Sequence, residues 1–111
     1  MRELINNVIQ WANDRNIIDG STPIKQLDKT SEEFNELQRA VAVAQARPYE
    51  CEQAKQRADI VDAYGDILVT LIISAHQLGI DLEDALATAW EEIKDRRGEM
   101  RGGKFVKEAD L

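Results

Sequence analysis

Glu32, Glu33 and Glu36 stand in an EExxE pattern, and Asp59, Asp62 and Asp66 follow one predicted helix later at offsets of three and four. Only helical geometry gives either group a chemical meaning. At 3.6 residues per turn, Glu32 and Glu33 each meet Glu36 on the helix surface, and the three aspartates fall within one narrow band. Like charges at those offsets destabilise a bare helix by a few tenths of a kcal/mol per pair, so something must offset the repulsion. Mg²⁺ is the economical candidate, because it binds through carboxylate oxygens and keeps places for water and substrate phosphates. Mn²⁺, another oxygen-seeking octahedral cation, is expected to substitute. A solvated acidic face is the simpler reading of an isolated EExxE. Against it stands Asp66, which runs straight into Ile67-Leu68-Val69-Thr70-Leu71-Ile72-Ile73, apolar nearly all the way round and expected to be buried. A carboxylate flush against such a segment is expected to be more than a solvated charge.

The elements that must hold these groups read as helices. Leu4, Ile5, Val8, Ile9 and Ala12 share one face of a first helix over residues 2 to 15. Asp19-Gly20-Ser21-Thr22-Pro23 then breaks the chain, with Thr22 as N-cap and Pro23 in the first helical position, where its missing N–H costs nothing. Leu27, Thr30, Phe34, Leu37, Val41 and Ala44 repeat at alternating threes and fours, carrying the second helix to Ala46, and Arg47-Pro48 ends it. A third helix is expected over residues 52 to 78, stopped by Gly79. Asp81 caps a fourth, with Leu82, Leu86, Ala89, Trp90 and Ile93 along it and Trp90 read as core packing; it ends near Arg97-Gly98. The tail, Met100 to Val106, has a Gly-Gly turn and forms either a small hairpin or a disordered end. The expected fold is therefore all-α, one domain over residues 1–111: an antiparallel bundle of about four helices with a short C-terminal tail or hairpin. Antiparallel pairing of the second and third helices sets Glu33 and Glu36 opposite Asp62 and Asp66. Because Ile67 to Ile73 is apolar on every face, a homodimer or homotetramer is expected to complete the bundle.

Composition narrows the partners. Charged residues make up 32% of the 111 and hydrophobic ones 43%, with two prolines and six glycines, which suits a folded helical protein rather than a disordered chain. The formal net charge of −7 disfavours a nucleic-acid polymer or an anionic membrane as partner, though not a nucleotide that arrives with its cation. Basic residues gather late, at Lys94, Arg96, Arg97, Arg101, Lys104 and Lys107, where they complement a helix dipole or meet phosphate. Cys51 is alone, so no intrachain disulfide forms, and His76 lacks the companions of a zinc site. The N-terminus lacks an apolar signal region, and no apolar run approaches the ~18 residues of a spanning helix, so a cytoplasmic location is expected. Trp11 offers a face on which a base could stack, set against the commoner role of such a residue in a core or subunit contact.

Taken together, these motifs resemble the all-α nucleoside triphosphate pyrophosphohydrolases, and among them the MazG-like proteins of bacteria and phages. Lys29-Thr30-Ser31-Glu32-Glu33-Phe34-Asn35-Glu36-Leu37 matches the K-x-x-E-E-x-x-E-L pattern in full, and Asp62-Ala63-Tyr64-Gly65-Asp66-Ile67-Leu68 stands where that family has E-x-x-D before an apolar run. Trp11 to Arg15 and Glu92 to Gly98 also look like segments of the phage-type proteins. One departure is plain: Ala63 occupies the position of the family's second-motif glutamate, and Asp62 is the nearest carboxylate, with Asp59 a further candidate. The resemblance implies hydrolysis of a nucleoside triphosphate to the monophosphate and pyrophosphate. It implies Glu33, Glu36 and Asp66 as metal ligands, Asp62 in place of the missing glutamate, and Glu32 as the base that orients or deprotonates water. Lys29, Lys94 and Arg97 then meet phosphate and Asp95 the sugar or base. A weakened scaffold that binds nucleotide or a protein partner is the alternative that Ala63 raises.

Overall fold

Thr22 and Pro23 open the longest helical pairing of the chain. The Thr22 hydroxyl accepts a hydrogen bond from the Lys25 amide at 3.2 Å, and helix α3 runs from Pro23 to Ala46. Helix α4, Gln53–Gln77, packs antiparallel against it. This computed structural model describes residues 1–46 and 53–111, so the helix stop at Arg47-Pro48 and the placement of Cys51 lie outside the described residues. Before α3 come α1, Arg2–Asp14, and α2, a single turn over Ile17–Gly20. The sequence reading has only a chain break in this region. Asn16 explains the extra turn: it sits in the left-handed region at φ 59°, which asparagine tolerates better than most residues, and there it both ends α1 and starts α2.

Helix α4 ends as the sequence implies. Gly79 has φ 72°, its amide bonds the His76 carbonyl at 3.0 Å, and the Ile80 amide reaches back to the Ala75 carbonyl at 2.8 Å. This is the paired closure of a Schellman motif, with glycine where a side chain would be strained.

The chain divides into two compact units, Met1–Ile80 and Asp81–Leu111. In the first, α4 contacts α1, α2 and α3, and the core is small: Ile5 and Ala12 of α1, Leu37 of α3, and Ala63, Ile72, Ile73 and Ala75 of α4. The apolar segment of α4 is covered over most of its circumference but not all of it. Thr70, Ile72 and Ile73 are buried, Ile67, Val69 and Leu71 half-buried, and Leu68 exposed, whereas the sequence had suggested burial all round.

In the second unit, helix α5 spans Leu82–Ile93, and its N-terminus is capped by the Asp81 carboxylate, which accepts from the Glu83 and Asp84 amides at 2.8 and 3.2 Å. Asp81→Ala is expected to lower stability by about 1 kcal/mol, as cap losses do, read as a shift in the denaturant midpoint at unchanged slope. Strands β1, Gly98–Arg101, and β2, Lys104–Lys107, form an antiparallel hairpin with Gly102-Gly103 at its turn. Both turn glycines have positive φ, at 56° and 81°, as a two-residue hairpin loop requires. A Cβ on Gly98 would lie 2.0 Å from the Val106 carbonyl oxygen, so the hairpin base closes only around glycine.

Two expectations for this unit are corrected. Trp90 is 56% exposed rather than core, and Leu86 and Ile93 on the same stripe are exposed as well. The helix also stops at Ile93 instead of near Arg97-Gly98, because the chain turns at Lys94 and Asp95 to enter the hairpin; the Glu108 amide then bonds the Arg97 carbonyl at 2.8 Å. Among the described residues, no helix is long and apolar enough to cross a membrane.

Candidate functional site: a carboxylate cleft between two helices

The antiparallel register of α3 on α4 places two alanines, Ala40 and Ala63, between acidic side chains, and their small volume leaves an open cleft of about 260 Å³. Its walls are Glu36 of α3 and Asp59, Asp62 and Asp66 of α4. Ala63 is 6% exposed, so the position of the family's missing glutamate is part of the buried floor. Asp66 lies on the inward stripe of α4, between Ala63 and Thr70, yet it is exposed, because what faces it is this cleft rather than packed side chains.

Burial falls instead on Glu33, at 8% exposure. Its Oε1 lies 3.7 Å from the Lys29 ammonium, while its Oε2 is enclosed and has no hydrogen-bond partner. Burial pushes the Glu33 carboxyl above its ordinary value, and the negative charges of Glu36 and Asp66 push it further, while Lys29 pulls the other way. The sequence had suggested Asp66 as the desolvated carboxylate; the packing of the Glu33–Leu37 face of α3 inward explains the exchange. Lys29 also pairs with Glu32 at 3.4 Å, and this bond, followed by the nearby carboxylate charges, raises its pKa, so it stays an ammonium through the neutral range. Glu32 itself is exposed on the same helix.

Among the described residues, no three His, Cys, Asp or Glu side chains converge closely enough to hold a metal ion as they stand. The donor set nonetheless suits a hard cation: every candidate atom is a carboxylate oxygen, and one of them, Glu33 Oε2, is buried without the partner that its desolvation demands.

Asp66 also borders a second, apolar groove of about 700 Å³ between α1 and α4, lined by Trp11, Ile5, Val8, Leu68 and Val69 among others. Trp11 is 44% exposed, so it is not a core residue, and the Arg15 guanidinium stacks on its ring 4.8 Å from the centroid. Lys94, Asp95 and Arg97 belong to the second unit, where Lys94 pairs with Glu91 at 2.7 Å. Sequence reasoning missed Arg39. It lies one turn after Glu36 and lines a small cleft that shares Ala40 and Asp59 with the carboxylate site. The i, i+3 offset from Glu36 was the available signal.

These features, an EExxE helix antiparallel to an aspartate-bearing helix with one buried glutamate at their interface, accord with the MazG-like class of all-α pyrophosphohydrolases that the motifs resemble. Within that class, a family profile for phosphoribosyl-ATP pyrophosphohydrolase matches residues 5–97, and the chain belongs to that family. The hairpin lies outside the matched span. The chain is also 40% identical over 82 residues to an uncharacterized 18.2 kDa protein in the rep-hol intergenic region of Haemophilus phage HP1. The alignment covers 73% of this chain but 43% of that relative, so the chain spans less than half of its length. No solved structure matches the chain.

Proposed function

We propose that this protein is a Mg²⁺-dependent nucleoside triphosphate pyrophosphohydrolase that converts an NTP or dNTP to the monophosphate and pyrophosphate. The observation that carries the reading is Glu33: a buried carboxylate with an orphaned oxygen, under the repulsion of Glu36 and Asp66, on a scaffold whose family hydrolyses phosphoric anhydrides. When bound, the cation supplies charge neutralisation of the phosphate oxygens and a water of lowered pKa. Glu33, Glu36 and Asp66 hold it, and Asp62 completes the set from the cleft wall, with Asp59 in reach of the same space.

Lys29 shares its ammonium between Glu32 and Glu33 in the free protein. A phosphate oxygen that draws Lys29 away leaves Glu32 free to orient a water and take its proton. Water oxygen then bonds to phosphorus, the bond to the α–β bridging oxygen breaks, and pyrophosphate and monophosphate separate. In H₂¹⁸O the product carrying the label identifies the phosphorus attacked.

Trp11 and the apolar groove beyond Asp66 receive the base, whose flat face stacks on the indole. The family description names phosphoribosyl-ATP, an adenine nucleotide with a triphosphate, and that compound belongs in the substrate panel. Trp11→Ala is expected to raise KM by about 10-fold with kcat little changed, since a lost stack of 1–3 kcal/mol is felt equally in ground and transition states. A fall in kcat at constant KM would remove Trp11 from base binding.

The active form we propose is a homodimer or homotetramer working in the cytoplasm. A scaffold that binds nucleotide without turnover is the competing outcome. Nucleotide binding by calorimetry with no pyrophosphate released under any divalent cation would establish it.

A further inference from the structure

In the apolar stretch of α4, Thr70 is the polar exception. It is 7% exposed, and its hydroxyl lies 2.7 Å from the hydroxyl of Thr30 on α3. Among the described residues, this is the one side-chain hydrogen bond joining α3 to α4. Each hydroxyl is also close to a carbonyl of its own helix, Thr30 to Gln26 at 3.0 Å and Thr70 to Ile67 at 2.9 Å. Each threonine has one proton, so two protons serve three contacts. Two hydroxyl oxygens 2.7 Å apart need a proton between them, so one hydroxyl donates across the interface while the other is free to bond its own carbonyl, and the interhelical bond is present whichever of the two donates.

A hydroxyl in a core costs free energy unless it is bonded, and valine would fill either site without that cost. Apolar packing through Leu37, Ala63 and Ile73 holds helices together but has no direction along their axes. A short hydrogen bond does have direction, and buried polar pairs between helices are best attested as devices that fix register. The position of this pair is what matters. One turn beyond Thr30 on α3 is Glu33, and one turn before Thr70 on α4 is Asp66. Two like charges face each other at the level where the helices would otherwise part or slip.

We infer that Thr30 and Thr70 are positioning residues for the carboxylate site: their hydroxyl pair pins α3 to α4 in the register that sets Glu33 and Glu36 opposite Asp66. The inference rests on the proposed cation-binding role of those carboxylates. It assigns the threonines no contact with substrate.

The test is Mn²⁺ titration of the 111-residue chain and its variants, followed by electron paramagnetic resonance, alongside thermal melting without metal. In Thr30→Val/Thr70→Val both partners become apolar, so the melting temperature should move little. Mn²⁺ affinity should fall roughly tenfold, the lower end for groups that orient ligands at second hand. Thr70→Ser keeps the hydroxyl and should restore binding to within about twofold of wild type, well inside that range. Unchanged Mn²⁺ affinity in the double valine variant overturns the inference. So does a parallel loss of melting temperature and affinity that Thr70→Ser shares, since that describes packing alone. Should the double valine variant fail to fold, Thr30→Ser/Thr70→Ser takes its place: near wild-type Mn²⁺ affinity supports the hydroxyl pair, and a tenfold loss counts against it. If the wild-type protein takes up no Mn²⁺ at all, the reading of the carboxylates fails separately. A crystal structure of the double valine variant then decides the register: an axial shift of α3 on α4 upholds the clamp, and an unchanged one refutes it.

Discussion

With Mg²⁺ and a panel of nucleoside triphosphates, the protein is expected to release pyrophosphate from at least one of them, and Glu36→Gln or Asp66→Asn should reduce that release by about 100-fold or more. The size follows from what is removed. Loss of a group that merely orients a metal ligand costs 10- to 100-fold, and on the proposed reading these changes remove ligands themselves. Phosphate as the sole product would refute the proposed reaction. The same substitutions should leave the metal-free fold intact or slightly more stable, because each also removes a like charge from around Glu33.

Glu33→Gln makes that argument quantitative in pH. The folded state raises the Glu33 pKa above its ordinary 4.5, so between that value and the raised one the folded protein binds more proton than the unfolded chain. Metal-free wild type therefore loses stability as pH rises through that window, whereas Glu33→Gln does not. The difference in melting temperature between the two should open above the ordinary glutamate range and vanish below it. A difference independent of pH would mean that Glu33 is a structural hydrogen-bonding residue.

The second large effect concerns assembly. Val61, Tyr64 and Leu68 lie along one stripe of α4 and are 57%, 55% and 45% exposed. A contiguous apolar strip of this kind on the central helix of a small core is unusual in a soluble monomer. A second copy packed on it by a two-fold axis would cover it and complete a bundle beside each carboxylate cleft. Light scattering is expected to show two or four times the 12.6 kDa chain. Tyr64→Lys, at a site that lines neither cleft, should dissociate the assembly and abolish turnover together. Active, monodisperse monomers at micromolar concentration would end this reading.

How much of this was legible in the sequence depends on what kind of signal each feature leaves. Helix boundaries set by local chemistry were readable: Thr22-Pro23 opens α3, Gly79 closes α4 and Asp81 caps α5, each through a bond made within a few residues. The pairing that gathers Glu36, Asp62 and Asp66 at one cleft was readable too, because antiparallel neighbours follow from connectivity. Burial was less so. Periodicity tells which face of a helix is apolar but not what lies opposite it, and for this reason Asp66 and Trp90 were placed too deep and the burial of Glu33, a residue the EExxE pattern does point to, was not foreseen. The cleft exists because Ala40 meets Ala63 across the interface, a coincidence of two small residues far apart in sequence. The one-turn helix α2 depends on a single left-handed asparagine, which leaves no periodic trace.

The chain has two tryptophans, and the fold gives one to each compact unit: Trp11 to Met1–Ile80 and Trp90 to Asp81–Leu111. Each unit thus carries its own optical probe. Trp90→Phe leaves fluorescence that reports the α1–α4 groove, where Trp11 sits beneath a guanidinium, and Trp11→Phe leaves fluorescence from α5 alone. Coincident denaturation curves from the two variants would mark the chain as one cooperative folding unit, and separate midpoints would mean that the C-terminal unit melts on its own.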